Sequence, residues 1–157
     1  MISCREGELG IELPNAYIVY HVDTPETGLP KDTSKVDWAW AEATRYFLCE
    51  VKDPEQRGAT LHNPTAPAKM RRELSQGGFP KKLAEKASET MRLHPPSAAP
   101  AAYIVLLAIS TLTAAELQTA GLSIEAELGA MGIKLPVIVV NIAGWNAQLT
   151  PRRAIRI

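Results

Sequence analysis

Hydrophobic positions along the chain fall into short runs separated by polar segments that contain Pro and Gly. Residues 16–22 are rich in β-branched and aromatic side chains and predict a strand. Residues 23–35 collect Pro, Gly, Thr, Asp and Ser, which is typical of a loop. Strand-like runs at 36–41 and 46–51 are joined by the polar residues 42–45. This short spacing predicts an antiparallel hairpin.

Helical and strand patterns alternate in the second half of the chain. Residues 53–68 hold several prolines and predict an irregular segment, whereas 69–93 has a helical composition that is interrupted at 77–80. Near-continuous apolar runs at 103–109 and 136–142 predict strands that are buried on both faces.

A helix is predicted between these two buried strands. Thr113 and Glu116 have the spacing of a capping box, in which each side chain satisfies a free backbone N–H at a helix start. The helical pattern continues toward Met131 with a predicted break near Gly121, and Gly132 is placed to end it.

The strand–helix–strand order predicts a parallel pair of strands covered by helices. Together with the earlier antiparallel hairpin, it predicts an α/β fold with a mixed central β-sheet flanked by helices. The length of 157 residues fits a single domain over 1–157, and no linker or internal repeat is visible.

Composition indicates a globular protein of a reducing compartment. Hydrophobic residues make up 46% and charged residues 22% of the chain. Cys4 and Cys49 are too few for a disulfide framework, so we expect a cytoplasmic location. The N-terminus lacks the apolar run of a signal peptide. No membrane span is expected, because the uncharged stretch between Arg92 and Glu116 is interrupted by prolines and polar residues.

Charge is unevenly distributed although the net charge is zero. Residues 1–60 hold 6 Lys/Arg against 11 Asp/Glu, whereas residues 69–92 hold 7 Lys/Arg against 3 Asp/Glu. Residues 152–157 add Arg152, Arg153 and Arg156 with no acid. A polyanion could contact the two basic segments beside an acidic pocket. The predicted nucleic-acid-binding side chains are Lys69, Arg71, Arg72, Lys81 and Lys82. The alternative is an ordinary solvated helix face.

Candidate chemistry lies in the predicted hairpin. Side chains two apart on a strand share a face, so Glu50 and Lys52 should point together while Val51 points into the core. Strand pairing would bring Asp37 to the same end. Two carboxylates can hold Mg²⁺, and a neighbouring lysine can orient a water or offset negative charge on a phosphoryl group. The alternative is a solvated Glu–Lys pair at a strand end.

The run from Val36 to Lys52, with Asp37 opening one strand and Glu50-Val51-Lys52 ending the next, resembles the core motif of the PD-(D/E)xK nuclease superfamily. This resemblance implies a restriction-endonuclease-like fold. It also implies that Asp37, Glu50 and the backbone carbonyl of Val51 are metal ligands, and that Lys52 is the catalytic lysine.

Two features depart from the family pattern. Val36 stands where Pro is typical, and the N-terminal segment that often supplies a further acid is short. Glu8 and Glu12 are the candidates for that acid, with Glu12 preferred.

The resulting hypothesis is a Mg²⁺- or Mn²⁺-dependent endonuclease acting on nucleic acid, with DNA preferred and a homodimer left open. Two alternatives stay open: a nuclease-like module that binds nucleic acid or protein without cutting, and a toxin nuclease acting on RNA. Trp38 and Trp40 could stack on bases, but core packing is the favoured interpretation. His21, His62 and His94 show no spacing that suggests a joint metal site.

Overall fold

The computed structural model describes residues 1–23, 34–93 and 100–157. Most of the predicted loop at 23–35, and His94, lie outside the described residues. The strands are β1 (Ile2–Glu6), β2 (Leu9–Leu13), β3 (Ala16–His21), β4 (Trp38–Glu42), β5 (Arg45–Lys52), β6 (Ala102–Leu107), β7 (Val137–Val140) and β8 (Arg153–Arg156). The helices are α1 (Arg57–His62), α2 (Ala66–Glu73), α3 (Gly78–Leu93), α4 (Ala114–Ala130) and α5 (Ile142–Gln148).

Within the described residues, the larger sheet has five strands in the order β3-β4-β5-β6-β7. The pairs β3–β4 and β4–β5 are antiparallel, so the predicted hairpin is confirmed. The pairs β5–β6 and β6–β7 are parallel, as the two apolar runs predicted. The fold is therefore α/β with a mixed central sheet.

A second sheet, β1-β2-β8, was not predicted. Both of its pairs are antiparallel, and Ile11 pairs with Ala154 near the other end of the chain. The basic segment 152–156 is therefore mostly a strand of this sheet rather than a free tail. Its first residue, Arg152, is buried.

The central sheet separates two hydrophobic layers. One layer joins the sheet to α3 and α4 and includes Leu48, Leu83 and Ile124. The other joins it to the small sheet and α5 and includes Trp40 and Trp145. Trp38 is 8% exposed and Trp40 is 0% exposed, which confirms that they pack in the core.

The helices follow the predicted order with two differences. The irregular segment predicted at 53–68 contains α1 and the start of α2. Helix α4 runs unbroken through Gly121, so the predicted break is wrong. A Cβ at Gly121 would lie 3.5 Å from the Val137 carbonyl, an ordinary packing distance. The capping box of Thr113 and Glu116 is confirmed, and Gly132 follows α4 with a φ of 77°.

The apolar run predicted as a strand over 136–142 ends at Val140. Asn141 then begins α5, because its side chain accepts a hydrogen bond of 2.9 Å from the Gly144 N–H. Across the three described ranges, no helix is long and apolar enough to cross a membrane.

Candidate functional site

Alternation along β5 places the candidate residues on one face of the central sheet. Leu48 belongs to the layer beneath α3 and α4, whereas Cys49 and Val51 belong to the opposite layer. Glu50 and Lys52 therefore share the α3 side of the sheet. Val51 is 6% exposed, which confirms that it points into the other core layer.

Hydrogen bonds connect Asp37 to this end of β5 and extend the pairing of β4 with β5 by one step. The regular β4–β5 register ends at the pair Trp38–Cys49. Beyond it, the Asp37 N–H donates to Glu50 Oε2 at 3.2 Å, and the Val51 N–H donates to Asp37 Oδ2 at 2.8 Å. Two side-chain carboxylates thus replace the backbone acceptors of the ladder, which brings Asp37 and Glu50 together at the open end of two strands.

Glu50 is fully buried and faces two lysines. Its Oε1 lies 2.9 Å from Lys86 Nζ and 3.2 Å from Lys52 Nζ. Both ammonium groups therefore contact the same carboxylate oxygen. A buried carboxylate needs compensating charge, and here two cations from different elements provide it.

Lys86 is a site residue that was not predicted from the sequence. It lies on α3. It also donates to the Lys35 carbonyl at 3.4 Å. One turn later, Thr90 Oγ1 accepts from the Val36 N–H at 2.9 Å. Helix α3 is thereby attached to the segment that leads into Asp37. The sequence signal was the position of Lys86 between the buried helix residues Leu83 and Thr90.

The surroundings of Asp37 move the titration of its carboxyl to near neutral pH. Burial and the neighbouring Glu50 charge raise its pKa to about 7, although the Val51 N–H opposes this shift. For Lys86, burial alone would lower the pKa, but the charge and hydrogen bonding of Glu50 together with the charges of Asp37 and Asp23 raise the pKa above its ordinary value. Lys86 therefore stays protonated in this cluster, and Asp37 is the carboxyl whose protonation changes near neutral pH.

The N-terminal acid nearest the site is Glu6 rather than the preferred Glu12. Glu12 pairs with the exposed Ser3 and Arg153, so it lies on the solvent face of the small sheet. Glu6 pairs with the buried Leu9 and therefore lies on the opposite face. Its charge acts on Asp37, and its Oε2 lies 3.5 Å from His21 Nε2.

Glu8 is engaged elsewhere, since its carboxylate accepts from the Arg57 N–H. The sequence pattern could not choose among three N-terminal glutamates, because the choice depends on the register of β1 with β2.

The backbone carbonyl of Val51 points toward the same open end. The neighbouring Lys52 carbonyl accepts from the Ala108 N–H beside β6. Because successive carbonyls of a strand point to opposite sides, the Val51 carbonyl points to the β4 side, beyond the last β4–β5 pair.

The donors at this end fit a hard cation that retains several waters. Within residues 1–23, 34–93 and 100–157, no group of three or more His, Cys, Asp or Glu side chains could hold a metal ion. The oxygens available are those of Asp37 and Glu50 and the carbonyl of Val51. Mg²⁺ is commonly held by one or two carboxylates together with water and substrate oxygens. Glu50 Oε1 is buried, and its two neighbours are the ammonium groups of Lys86 and Lys52, which supply positive charge at this position.

The five predicted nucleic-acid-binding residues all lie on exposed parts of α2 and α3, but they differ in their partners. Arg71 makes a two-point ion pair with Glu116 at 2.6 and 2.8 Å, and Lys69 lies 3.9 Å from Glu73. Arg72, Lys81 and Lys82 are exposed, and Lys82 precedes Lys86 by one helical turn.

The C-terminal basic residues are less free to contact a polyanion than the sequence predicted. Arg152 is paired with Glu42 in the core, and Arg156 is paired with Asp53 at 2.8 and 2.9 Å. The interpretation of 152–156 as a phosphate-binding tail is therefore wrong for Arg152, whose side chain is only 9% exposed and is paired with Glu42.

Sizeable cavities lie away from the carboxylates. One of about 510 Å³ follows β7 between α4 and α5, two strands from β5. Another of about 310 Å³ is lined by Glu55, Ser110 and Arg156. In the second, the Glu55 carboxylate accepts from the Ser110 N–H at 3.1 Å, so its main polar groups are already paired.

Comparison with models of known families, with curated proteins and with solved structures found no match to this chain. The resemblance to the PD-(D/E)xK nucleases therefore stays a prediction, carried by Asp37, Glu50 and Lys52 alone.

Proposed function

We propose that this protein is a nuclease that hydrolyses phosphodiester bonds with the help of Mg²⁺ or Mn²⁺. One observation carries the proposal: Asp37 and Glu50 converge at the open end of β4 and β5, with Lys52 beside the fully buried Glu50 carboxylate. Converging acids beside a lysine, one of them with a strongly raised pKa, are typical of functional sites.

In this proposal each residue has a separate task. The carboxylates of Asp37 and Glu50, with the Val51 carbonyl, hold the cation. When bound, the cation supplies Lewis-acid polarisation of a phosphoryl oxygen. Lys52, 30% exposed and 3.2 Å from Glu50, orients the attacking water or offsets negative charge on the phosphoryl oxygens. Water oxygen bonds to phosphorus and the bond to the leaving oxygen breaks; the attacking water gives one proton to solvent, and the leaving oxygen takes one proton from solvent.

The surroundings of the site agree with a restriction-endonuclease-like core. Asp37 immediately precedes β4, Glu50 and Lys52 end β5, and helices, the parallel strand β6 and α4 follow in that order. The family pattern that the chain resembles has the two motif strands followed by a helix, a strand and often a further helix, and the order here is similar. We include the restriction-endonuclease-like assignment in the proposal for that reason.

Nucleic acid is the proposed substrate, with DNA preferred. The exposed Arg72, Lys81 and Lys82 lie on the helices that precede or carry Lys86. Cationic side chains of this kind neutralise phosphates, and such contacts make binding strongly dependent on salt.

A module that binds nucleic acid without cutting it is the second candidate. One observation favours it: two lysines already neutralise Glu50, so this carboxylate is satisfied in charge without a metal ion. The two candidates differ in whether the protein binds a divalent cation.

The test is incubation with plasmid, branched DNA and tRNA in the presence of Mg²⁺, Mn²⁺ or EDTA. We expect cleavage of at least one substrate that EDTA abolishes, and the substrate that is cut separates DNA from RNA. Retention of a labelled DNA without cleavage under every condition would favour the non-cutting module. The absence of both cleavage and binding would refute both candidates.

A further inference from the structure

The Lys86 ammonium lies where a cation would be expected to sit. It is 2.9 Å from the fully buried Glu50 Oε1, closer than Lys52 at 3.2 Å. It comes from α3, on a different element from Glu50, and its side chain is 22% exposed. The Lys35 carbonyl at 3.4 Å holds it from the other side. The ammonium is therefore placed by three separate segments of the chain.

The charges around Lys86 are acidic on several elements. Besides Glu50, the carboxylates of Asp37 and Asp23 are close enough to act on its charge. Glu6, on β1, acts in turn on Asp37. Without the Lys86 ammonium, these acids would face one another with the more distant Lys52 beside Glu50. A region of concentrated negative charge of this kind attracts a divalent cation.

We propose that Lys86 is a built-in counter-cation that holds the position of the metal ion between Glu50 and Asp37 and is displaced when a divalent cation binds. This inference rests on the proposed function, because it concerns the same metal site. Glu50 Oε1 cannot hold an ammonium at 2.9 Å and a metal ion along the same direction, so the two cations compete. The released ammonium then stands beside the site, where a phosphate of the substrate would contact it.

If Lys86 competes with the metal ion and then contacts the substrate, removing its charge should have opposite effects on metal binding and on DNA binding. Replacing Lys86 by Met keeps the apolar stem and removes the charge. We expect Lys86→Met to bind Mg²⁺ or Mn²⁺ about 3- to 10-fold more tightly, the factor expected for one partly screened charge. We expect the same variant to bind a labelled DNA duplex about 3- to 10-fold more weakly when the metal ion is present. A purely structural role would lower stability without producing this opposite pair of changes.

The experiment is calorimetric titration of each variant with Mn²⁺, followed by anisotropy of the labelled duplex with and without the metal ion. Lys86→Arg keeps the charge and should keep the wild-type metal affinity. Lys134→Met is the matched control, because Lys134 is exposed and precedes the edge strand β7, two strands away from β5. Thermal unfolding verifies each fold, and Lys86→Gln replaces Lys86→Met if the latter does not unfold cooperatively.

Tighter metal binding by Lys86→Met, with Lys86→Arg and Lys134→Met unchanged, supports the inference. If the wild type binds the metal ion and the folded Lys86→Met binds it equally or less tightly, the inference is overturned and the proposed function stands. If neither the wild type nor any Lys86 variant binds a divalent cation, the proposed function fails as well.

Discussion

A buried ion pair connects the β4–β5 hairpin, which carries the site, to Arg152 immediately before β8. Arg152 donates to both carboxylate oxygens of Glu42, at 2.6 and 2.7 Å, and the Trp40 indole N–H donates to the same carboxylate at 3.1 Å. The two side chains are 9% and 7% exposed, and the guanidinium lies 4.9 Å from the Phe47 ring centre. Burial alone would raise the pKa of Glu42, but the hydrogen bonds from Arg152 and Trp40 hold it below its ordinary value.

We predict that Arg152→Met strongly destabilises the protein. It leaves the Glu42 carboxylate buried with only the Trp40 N–H, and loss of one partner of a buried pair costs about 3–5 kcal/mol. For a domain of this size, each kcal/mol corresponds to about 2–4 °C, so the unfolding midpoint should fall by about 6–20 °C. The double variant Glu42→Leu with Arg152→Met should recover most of this loss, because no unpaired charge remains.

Urea unfolding followed by circular dichroism measures these differences. Arg153→Met is the matched control, since the neighbouring Arg153 is exposed and should change the free energy of unfolding by at most about 0.5 kcal/mol. A cost of less than about 1 kcal/mol for Arg152→Met would refute the reasoning. A double variant as unstable as the single one would refute it too.

Two further predictions concern the site and its surface. Because the pKa of Asp37 is raised from 3.8 to about 7, cation binding that needs the ionised carboxylate should tighten about tenfold per pH unit up to pH 7 and then level off. The free energy of unfolding of the metal-free protein should decrease between pH 4 and 7, because the unfolded chain loses this proton first as the pH rises. Asp37→Asn should remove this decrease, and a decrease of the same size in that variant would assign the titration to another group. Charge reversal of Arg72, Lys81 and Lys82 should weaken DNA binding and flatten its dependence on log salt by up to about 0.9 for each phosphate that is no longer neutralised. Anisotropy over a salt series tests this, with Lys134→Glu as control, and an unchanged slope would show that DNA binds elsewhere.

Short-range patterns predicted the central sheet well. The β-branched run before His21, the paired runs of the hairpin and the capping box of Thr113 with Glu116 each depend on neighbours within a few residues. The placement of Glu50 and Lys52 on one face followed from the two-residue repeat of a strand alone. These features need no knowledge of the distant chain.

Contacts between distant parts of the chain explain what the sequence did not reveal. The small sheet pairs Ile11 with Ala154, and neither strand has an apolar run long enough to predict it. Arg152 resembled an exposed basic residue, but its partner Glu42 lies 110 positions earlier. Lys86 is one of several lysines on an amphipathic helix, and only the packing of α3 on β5 shows that it faces Glu50. Site residues that depend on helix packing therefore required the structure.

Metal affinity and cleavage, measured together on three site variants, test the proposed nuclease site most directly. Asp37→Asn and Glu50→Gln remove the charge of a proposed ligand, so both should lose most of the Mn²⁺ affinity that calorimetry detects in the wild type. Lys52→Met should bind the metal ion at least as tightly as the wild type while its cleavage rate falls by orders of magnitude. A wild-type protein that binds no divalent cation and cuts none of the plasmid, branched DNA or tRNA substrates would contradict the proposed function, and would leave Asp37, Glu50 and Lys52 as a structural ion-pair cluster.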